Sequence, residues 1–167
     1  SYAKWLVGKN PGRKLTVVVG RDARLSGEMV NDLVEGTLLG CGVNVINVGL
    51  CTTPGVEMAV VARKADGGII LTASHNPKQW NALKLLNERG EFLNAAEGAQ
   101  ILDYAVKEEF DVVEIDEIGK VLSREPYDAP DFVMDKSITD FYSFTKDSFS
   151  FENYKFHDFS EKIPVAI

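Results

Sequence analysis

A hydroxyl group and an imidazole stand side by side just after a short apolar run in this chain. Residues 67–71 read Gly-Gly-Ile-Ile-Leu, which is typical of a buried strand, and Ser74 and His75 follow inside the polar segment 72–77, Thr-Ala-Ser-His-Asn-Pro. Loops at the ends of buried strands carry chemistry more often than packed elements do. The pattern predicts that segment 72–77 is the chemical site.

Two other interpretations of this segment need weighing. A serine protease triad is disfavoured, because neighbouring residues of an extended chain point to opposite sides and no Gly-x-Ser-x-Gly elbow is present. A turn with no chemical role is the simpler alternative, because Asn76 can cap the backbone and Pro77 fixes φ. The six residues by themselves leave that alternative open.

A second polar segment, 20–27, reads Gly-Arg-Asp-Ala-Arg-Leu-Ser-Gly between a predicted strand and a predicted helix. It matches neither a P-loop nor a dinucleotide-binding Gly-x-Gly-x-x-Gly turn. Arg21 and Arg24 beside a helix N-terminus nevertheless suit a phosphate, because guanidinium groups and free backbone N–H groups both bind anions. The alternative is a solvated turn in which Arg21 pairs with Asp22 or with an acid of the helix.

The first 110 residues alternate between predicted strands and helices. Apolar runs predict three strands, at 15–19, 43–48 and 68–71. Helical periodicity predicts helices over 26–40, 53–65 and 94–110, with Ser26, Thr53 and Asn94 at their N-caps. Gly40 is expected to end the first helix, Pro54 to occupy N1 of the second, and Glu97 to complete a capping box with Asn94. The expected apolar faces are Met29, Val30, Leu33, Val34 and Leu38 in one helix and Ile101, Leu102, Ala105, Val106 and Phe110 in another.

A further apolar run at 82–87 follows the third strand after only about ten residues. A parallel crossover needs about a dozen residues or more, so this strand should be antiparallel or lie at an edge. The predicted fold class is α/β, a three-layer α/β/α domain with a mixed, mostly parallel four-stranded sheet. Ligands collect at the carboxyl ends of parallel strands, where loops 20–26, 49–54 and 72–81 should meet.

Composition and charge limit the possible functions. The chain has 167 residues, 45% of them apolar, which suits one well-buried domain with appendages. It shows neither a membrane-spanning run nor a signal pattern, and we expect a cytoplasmic protein with no membrane partner. Cys41 and Cys51 are expected to be reduced and partly buried thiols.

Charge and aromatic residues divide the chain in two. The first 110 residues hold twelve acidic and twelve basic side chains, whereas 111–167 hold thirteen acidic and six basic ones. A neutral core with an acidic end argues against a nucleic-acid partner. Seven of nine phenylalanines follow position 126. We predict a domain over 1–126 and an acidic, Phe-rich segment over 127–167, a linker or a segment folded over the core with one helix near 135–144.

The motifs together resemble the α-D-phosphohexomutase family, which comprises phosphoglucomutase, phosphomannomutase and phosphoglucosamine mutase. The resemblance covers about residues 1–110 and rests on Thr-Ala-Ser-His-Asn-Pro at 72–77, Gly-Arg-Asp-x-Arg at 20–24, Thr53-Pro54, and Asn-Ala-Leu-Lys at 81–84, in the family's order and spacing. It implies an enzyme that interconverts hexose 1-phosphate and hexose 6-phosphate through a bisphosphate.

The resemblance also implies roles for individual residues. Ser74 would carry the transferable phosphoryl group, and its phosphate would help to bind Mg²⁺ in the intact enzyme. Lys84 matches an active-site lysine, His75 adjoins the reacting groups, and Arg21 would be an electrostatic partner. Either Lys84 or His75 could act as the general acid and base, and the sequence does not choose between them.

Some parts of the family pattern have no match in this sequence. The Asp-Gly-Asp-x-Asp-Arg metal loop, the sugar-specificity loops and the N-terminal Arg-Gly motif are missing. The chain therefore resembles the first domain alone, with 1–9 as the tail of a helix and 162–167 as the start of a following domain's strand. The remaining domains of the same enzyme would be its partners, and this chain alone should be inactive. The alternative is a non-catalytic phosphate-binding or interaction module on the same fold.

Overall fold

The computed structural model describes residues 1–127, and its central feature is one sheet with helices on both faces. The described strands are β1 (Thr16–Arg21), β2 (Asn44–Leu50), β3 (Gly67–Leu71), β4 (Leu83–Leu86) and β5 (Val121–Arg124). The described helices are α1 (Tyr2–Lys9), α2 (Gly27–Gly40), α3 (Thr53–Ala62) and α4 (Ala95–Val106), with a short 3₁₀ turn at Ile115–Glu117. The predicted linker or folded-over segment, with its helix near 135–144, lies outside the described residues, apart from its first residue.

The sheet has the strand order β4-β3-β1-β2-β5. Strands β3, β1, β2 and β5 run parallel, and β4 is antiparallel to β3 at one edge, as its short connection required. The predicted count of four strands was wrong, because β5 was missed. Its four residues, Val-Leu-Ser-Arg, form no continuous apolar run and are only partly buried. Pairing with β2 defines this strand, and pairing over long separations is not visible in local sequence.

Two apolar clusters, one on each face of the sheet, hold the helices against it and give the predicted three layers. Along β1 the side chains alternate, so Val17 and Val19 face α1, α2 and α4 while Val18 faces α3. The first cluster is built around Trp5, Leu6, Leu15, Leu38, Leu71 and Ile101. The second is built around Val56, Ala59, Val60, Ile70 and Leu86. The three central strands are therefore buried on both faces, which is why their sequences read as apolar runs.

The helix ends differ in part from prediction. Asn94 and Glu97 form the expected capping box, with the Asn94 side chain accepting from the Glu97 N–H at 3.0 Å and the Glu97 side chain accepting from the Asn94 N–H at 3.1 Å. The N-cap of α3 is Thr52 rather than Thr53, because the Thr52 hydroxyl accepts from the Gly55 N–H. Ser26 occupies the N-cap position of α2 without a side-chain capping bond.

Helices α3 and α4 also differ from the prediction in where they end and in which residues they bury. Helix α3 stops at Ala62 because Lys64 turns the chain with a φ of 51°. Helix α4 ends at Val106 rather than at 110, so Phe110 lies beyond it. Ile101 is buried, but the other four members of the predicted apolar face are exposed, so that prediction was wrong for Leu102, Ala105, Val106 and Phe110. Helical spacing alone does not reveal how many turns a neighbour covers.

Helix α2 buries polar residues in place of part of its predicted apolar face. Met29 and Leu33 are exposed, whereas Asn31 and Glu35 point into the protein. The Asn47 side chain of β2 donates to both of them, and Arg124 of β5 pairs with Glu35. Buried polar groups are tolerated when they are hydrogen-bonded, so this cluster replaces apolar contacts where β5 joins the sheet.

The two cysteines are free and partly buried, as predicted. Burial raises the pKa of both the Cys41 and the Cys51 thiol above its ordinary value. No helix within residues 1–127 combines the length and the apolar character needed to span a bilayer.

Tyr2 ties helix α1 to the β3–β4 pair and provides a test of the packing. Its hydroxyl donates to the Leu86 carbonyl oxygen at 2.6 Å, and burial raises the pKa of Tyr2 well above its usual range. We expect Tyr2→Phe to lower the free energy of unfolding by about 1 kcal/mol at neutral pH, because a buried carbonyl loses its donor.

The same pKa shift sets the expected pH dependence. Above about pH 10 the unfolded chain loses the Tyr2 proton while the folded chain keeps it, so wild-type stability should fall as pH rises. The loss should be smaller in Tyr2→Phe. Urea unfolding between pH 8 and 11 measures both effects, and parallel pH profiles for the two proteins would contradict the account.

Candidate functional site

Three loops meet where β1, β2 and β3 end, and backbone hydrogen bonds join them. The Asp22 N–H donates to the Leu71 carbonyl oxygen at 3.0 Å, and the Cys51 N–H donates to the Arg21 carbonyl oxygen at 2.9 Å. A cleft of about 450 Å³ opens between the loops, with Arg21, Asp22, Thr52 and Thr72 among its lining residues. The carboxyl edge of the sheet thus carries the polar residues of all three segments.

Ser74 and His75 come together at this edge. Ser74 has a φ of 54°, the left-handed region that non-glycine residues seldom adopt. The turn brings the Ser74 Oγ within 3.3 Å of the His75 Nδ1, and both residues are exposed. The expectation that the two side chains would point to opposite sides was wrong, because it assumed an extended backbone. The pair offers an accessible hydroxyl with a proton acceptor or donor beside it.

The backbone around Ser74 is fixed by short side-chain contacts. The Thr72 hydroxyl accepts from the Ser74 N–H at 3.0 Å and donates to the Asp22 carboxylate at 2.6 Å. The Asn76 side chain donates to the Ala73 carbonyl oxygen at 2.9 Å, so Asn76 does have the turn-forming role that the sequence suggested. A left-handed serine costs about 1–2 kcal/mol, and these contacts offset that cost.

The two arginines of segment 20–27 have different surroundings. Arg24 reaches across to the serine loop, and its guanidinium donates to the carbonyl oxygens of Ser74, Asn76, Pro77 and Trp80. The Arg21 side chain makes one hydrogen bond in the described part of the chain, to the Asp22 carbonyl oxygen at 3.3 Å. The carboxylate of Asp22 pairs with Arg24, not with Arg21 as the solvated-turn alternative supposed.

Lys84 lies on β4, opposite Ile70 of β3. Its Nζ sits 5.7 Å from the centre of the Phe92 ring. Within residues 1–127 neither Lys84 nor Arg21 is hydrogen-bonded to Ser74. The structure therefore brings Ser74 and His75 into contact. Among the described residues, the charged groups of Arg21 and Lys84 form no hydrogen bond with Ser74 or His75.

Sequence reasoning missed the roles of Asp22, Arg24 and Thr72. Asp22 and Arg24 lie in the segment that the sequence singled out, but Asp22 was considered only as a partner of Arg21, and Arg24 only as a phosphate ligand. Nothing in the local pattern shows that Arg24 contacts a loop about fifty residues further along the chain.

The metal expected from the family resemblance can be tested against the donor set. Residues 1–127 contain no group of three or more His, Cys, Asp or Glu side chains arranged to hold a metal ion. The Asp22 carboxylate, which contacts the serine loop through Thr72, is occupied by Arg24 and Thr72. The described residues do not by themselves fit a Mg²⁺ site.

Comparison with known proteins agrees with the fold. A family model described as phosphoglucomutase/phosphomannomutase, alpha/beta/alpha domain I, matches residues 1–112. A phosphoglucomutase/phosphomannomutase of Thermococcus kodakarensis is 41% identical over 68% of this chain and 25% of its own length. A phosphoglucosamine/phosphogalactosamine mutase of Sulfurisphaera tokodaii is 34% identical over 71% of this chain and 26% of its own length.

A solved structure gives the same result. A phosphoglucomutase/phosphomannomutase family protein of Burkholderia thailandensis superposes with a TM-score of 0.63 at 28% identity, covering 78% of this chain and 28% of that one. Fold and site define an α/β/α domain with a hydroxyl-bearing loop at the carboxyl edge of its sheet. The chain belongs to the phosphoglucomutase/phosphomannomutase family, as the first of its domains, and spans about a quarter of the length of the curated relatives it matches.

The left-handed backbone at Ser74 predicts an unusual order of stabilities. We expect Ser74→Gly to have a free energy of unfolding about 1 kcal/mol higher than Ser74→Ala, because glycine tolerates positive φ and alanine does not. At Ser123, in strand β5, the order should reverse, because glycine weakens a strand. Urea unfolding of the four variants checks this. A Ser74→Ala variant as stable as Ser74→Gly would show that the backbone is not left-handed there.

Proposed function

We propose that this chain is the phosphoserine-bearing domain of a phosphohexomutase that interconverts hexose 1-phosphate and hexose 6-phosphate through a bisphosphate. The observation that carries the proposal is the exposed Ser74 hydroxyl, held in a left-handed turn with His75 Nδ1 3.3 Å from its Oγ, in a member of this family. Several relatives are named as mutases of hexose or hexosamine phosphates, which supports a sugar phosphate as substrate.

The proposed reaction is a phosphoryl transfer in two directions. In the first, the bond between Ser74 Oγ and phosphorus breaks, a bond from phosphorus to a sugar hydroxyl oxygen forms, and the hydroxyl proton passes to a base. The sugar is then a bisphosphate. In the second, the Ser74 oxygen takes the other phosphoryl group, and the released sugar oxygen receives a proton. The enzyme ends in its starting state, with the phosphate moved from one carbon to the other.

Charge and proton transfer would be handled by residues around the loop. Phosphoryl transfer spreads negative charge over three oxygens, so cations near the phosphate do much of the catalytic work. Arg21 has donors that no described residue uses, and Lys84 brings a second positive charge from β4. His75 is the titratable side chain in contact with the Ser74 Oγ, whereas Lys84 is the alternative general acid and base.

The rest of the proposed enzyme extends beyond these residues. The family resemblance makes Mg²⁺ the expected metal, bound in part by the phosphate on Ser74, with carboxylate ligands supplied from outside residues 1–127. Other domains of the same enzyme would complete the sugar site. A cytoplasmic location, and the absence of nucleic-acid and membrane partners, are part of the same proposal.

Ser74 as the phosphoryl carrier can be tested by labelling. In the complete protein encoded by the reading frame that contains this sequence, we expect incubation with phosphate-labelled glucose 1,6-bisphosphate to label one peptide, the one containing Ser74. Ser74→Ala should abolish the label because the accepting oxygen is gone. Ser123→Ala, on the far edge of the sheet, is the matched control and should label normally. Label on Thr72 or elsewhere would sink the assignment.

The 167-residue chain alone should show no mutase turnover. The described residues provide no carboxylate set for Mg²⁺, and the chain spans about a quarter of its curated relatives. A coupled assay that follows glucose 6-phosphate formation from glucose 1-phosphate measures this, with a full-length relative as positive control. Activity in this chain that Ser74→Ala removes would refute the prediction.

A further inference from the structure

We propose that Arg24 is a positioning residue that fixes the serine loop for phosphoryl transfer and does not itself bind the substrate phosphate. This inference deepens the proposed function and rests on it. The two arginines of segment 20–27 would then have separate tasks, with Arg24 acting through the loop and Arg21 acting on the ligand.

The hydrogen bonds of Arg24 account for every donor it has. A guanidinium carries five N–H groups in a rigid plane. The Nε donates to the Asp22 carboxylate at 3.1 Å, Nη1 donates to the carbonyl oxygens of Pro77 and Trp80 at 2.9 Å each, and Nη2 donates to those of Ser74 and Asn76 at 2.6 and 2.9 Å. With five donors and five acceptors, no N–H remains to bind a phosphate oxygen.

Asp22 holds the guanidinium in place. Its carboxylate accepts from the backbone N–H of Arg24 at 3.0 Å as well as from the side-chain Nε, and it also accepts from the Thr72 hydroxyl. The Arg24 side chain is only 10% exposed, so its orientation is set by these partners rather than by solvent. A charge with so little access to water is costly unless it is paired and fully hydrogen-bonded, and here it is both.

This arrangement fixes the conformation of Ser74 because both of its backbone polar groups are hydrogen-bonded. Arg24 binds the Ser74 carbonyl oxygen, and Thr72, which Asp22 also binds, receives the Ser74 N–H. With both backbone polar groups engaged toward the protein, the left-handed turn leaves the side chain exposed beside His75. Asp22, Arg24 and Thr72 therefore form one clamp on the residue that carries the phosphoryl group.

Lysine cannot replace arginine in such a clamp. An ammonium group has three donors and no planar fork, so it can satisfy some of the five acceptors but not all of them. Arg24→Lys keeps the positive charge and thus separates positioning from simple charge. Arg89→Lys is the matched control, because Arg89 is exposed and paired with Glu91 near β4.

The first measurement uses this chain and does not depend on enzyme activity. Amide hydrogen exchange followed by NMR should show the N–H groups of Ser74 and Asn76 exchanging about tenfold faster in Arg24→Lys, with the buried amide of Val18 unchanged. Arg89→Lys should match the wild type. Unchanged exchange at Ser74 and Asn76 in a folded Arg24→Lys variant overturns the proposal.

The second measurement uses the complete protein encoded by the reading frame that contains this sequence. We expect Arg24→Lys to lower kcat about 100-fold while the KM for glucose 1-phosphate stays within about threefold, because a misplaced nucleophile slows transfer without weakening sugar binding. A kcat within threefold of the wild type, or a loss that falls mainly on KM, overturns the proposal. The latter would mean that Arg24 binds the substrate.

Two further outcomes have defined meanings. If Arg24→Lys does not fold, Asp22→Asn takes its place with the same two measurements and the same limits. If the wild-type protein neither labels at Ser74 nor turns over, the proposed function fails, and the exchange measurement alone then decides whether Arg24 orders the loop.

Discussion

The Asp22 carboxylate is the contact on which the site depends. It lies just past the end of β1 and binds the Thr72 hydroxyl and the Arg24 guanidinium, which between them engage the N–H and the carbonyl oxygen of Ser74. Two loops that are fifty residues apart in sequence are thereby joined through the Asp22 carboxylate. The parallel sheet makes this possible, because β1 and β3 are hydrogen-bonded neighbours that end at the same edge.

The sheet itself was largely predictable because burial on both faces leaves a strong trace in sequence. The three central strands are rich in Val, Ile and Leu, and the connection to β4 was too short to permit a parallel strand. Strand β5 lacks such a run and is attached partly through Arg124 and the buried Glu35. Both the pairing with β2 and the contact between Arg124 and Glu35 join residues far apart in sequence, and local periodicity does not record them.

The site was predictable in its location and residue types but not in its geometry. Ser74, His75 and the arginine loop were found because polar residues follow apolar strands at a shared edge. The left-handed turn at Ser74, which sets the serine beside the histidine, follows from hydrogen bonds to Thr72 and Arg24 and not from the local sequence. These contacts include every guanidinium donor of Arg24, whereas the Arg21 guanidinium makes a single hydrogen bond within residues 1–127.

In the reaction that we propose, a phosphoryl group on Ser74 is an obligatory intermediate. A pulse-chase experiment on the complete protein tests it most directly: the protein is labelled with phosphate at Ser74, mixed rapidly with unlabelled glucose 1-phosphate, and quenched at intervals. If Ser74 is the phosphoryl carrier, the label leaves Ser74 and enters the sugar bisphosphate at least as fast as the enzyme turns over. Label that stays on Ser74 while turnover continues would contradict it.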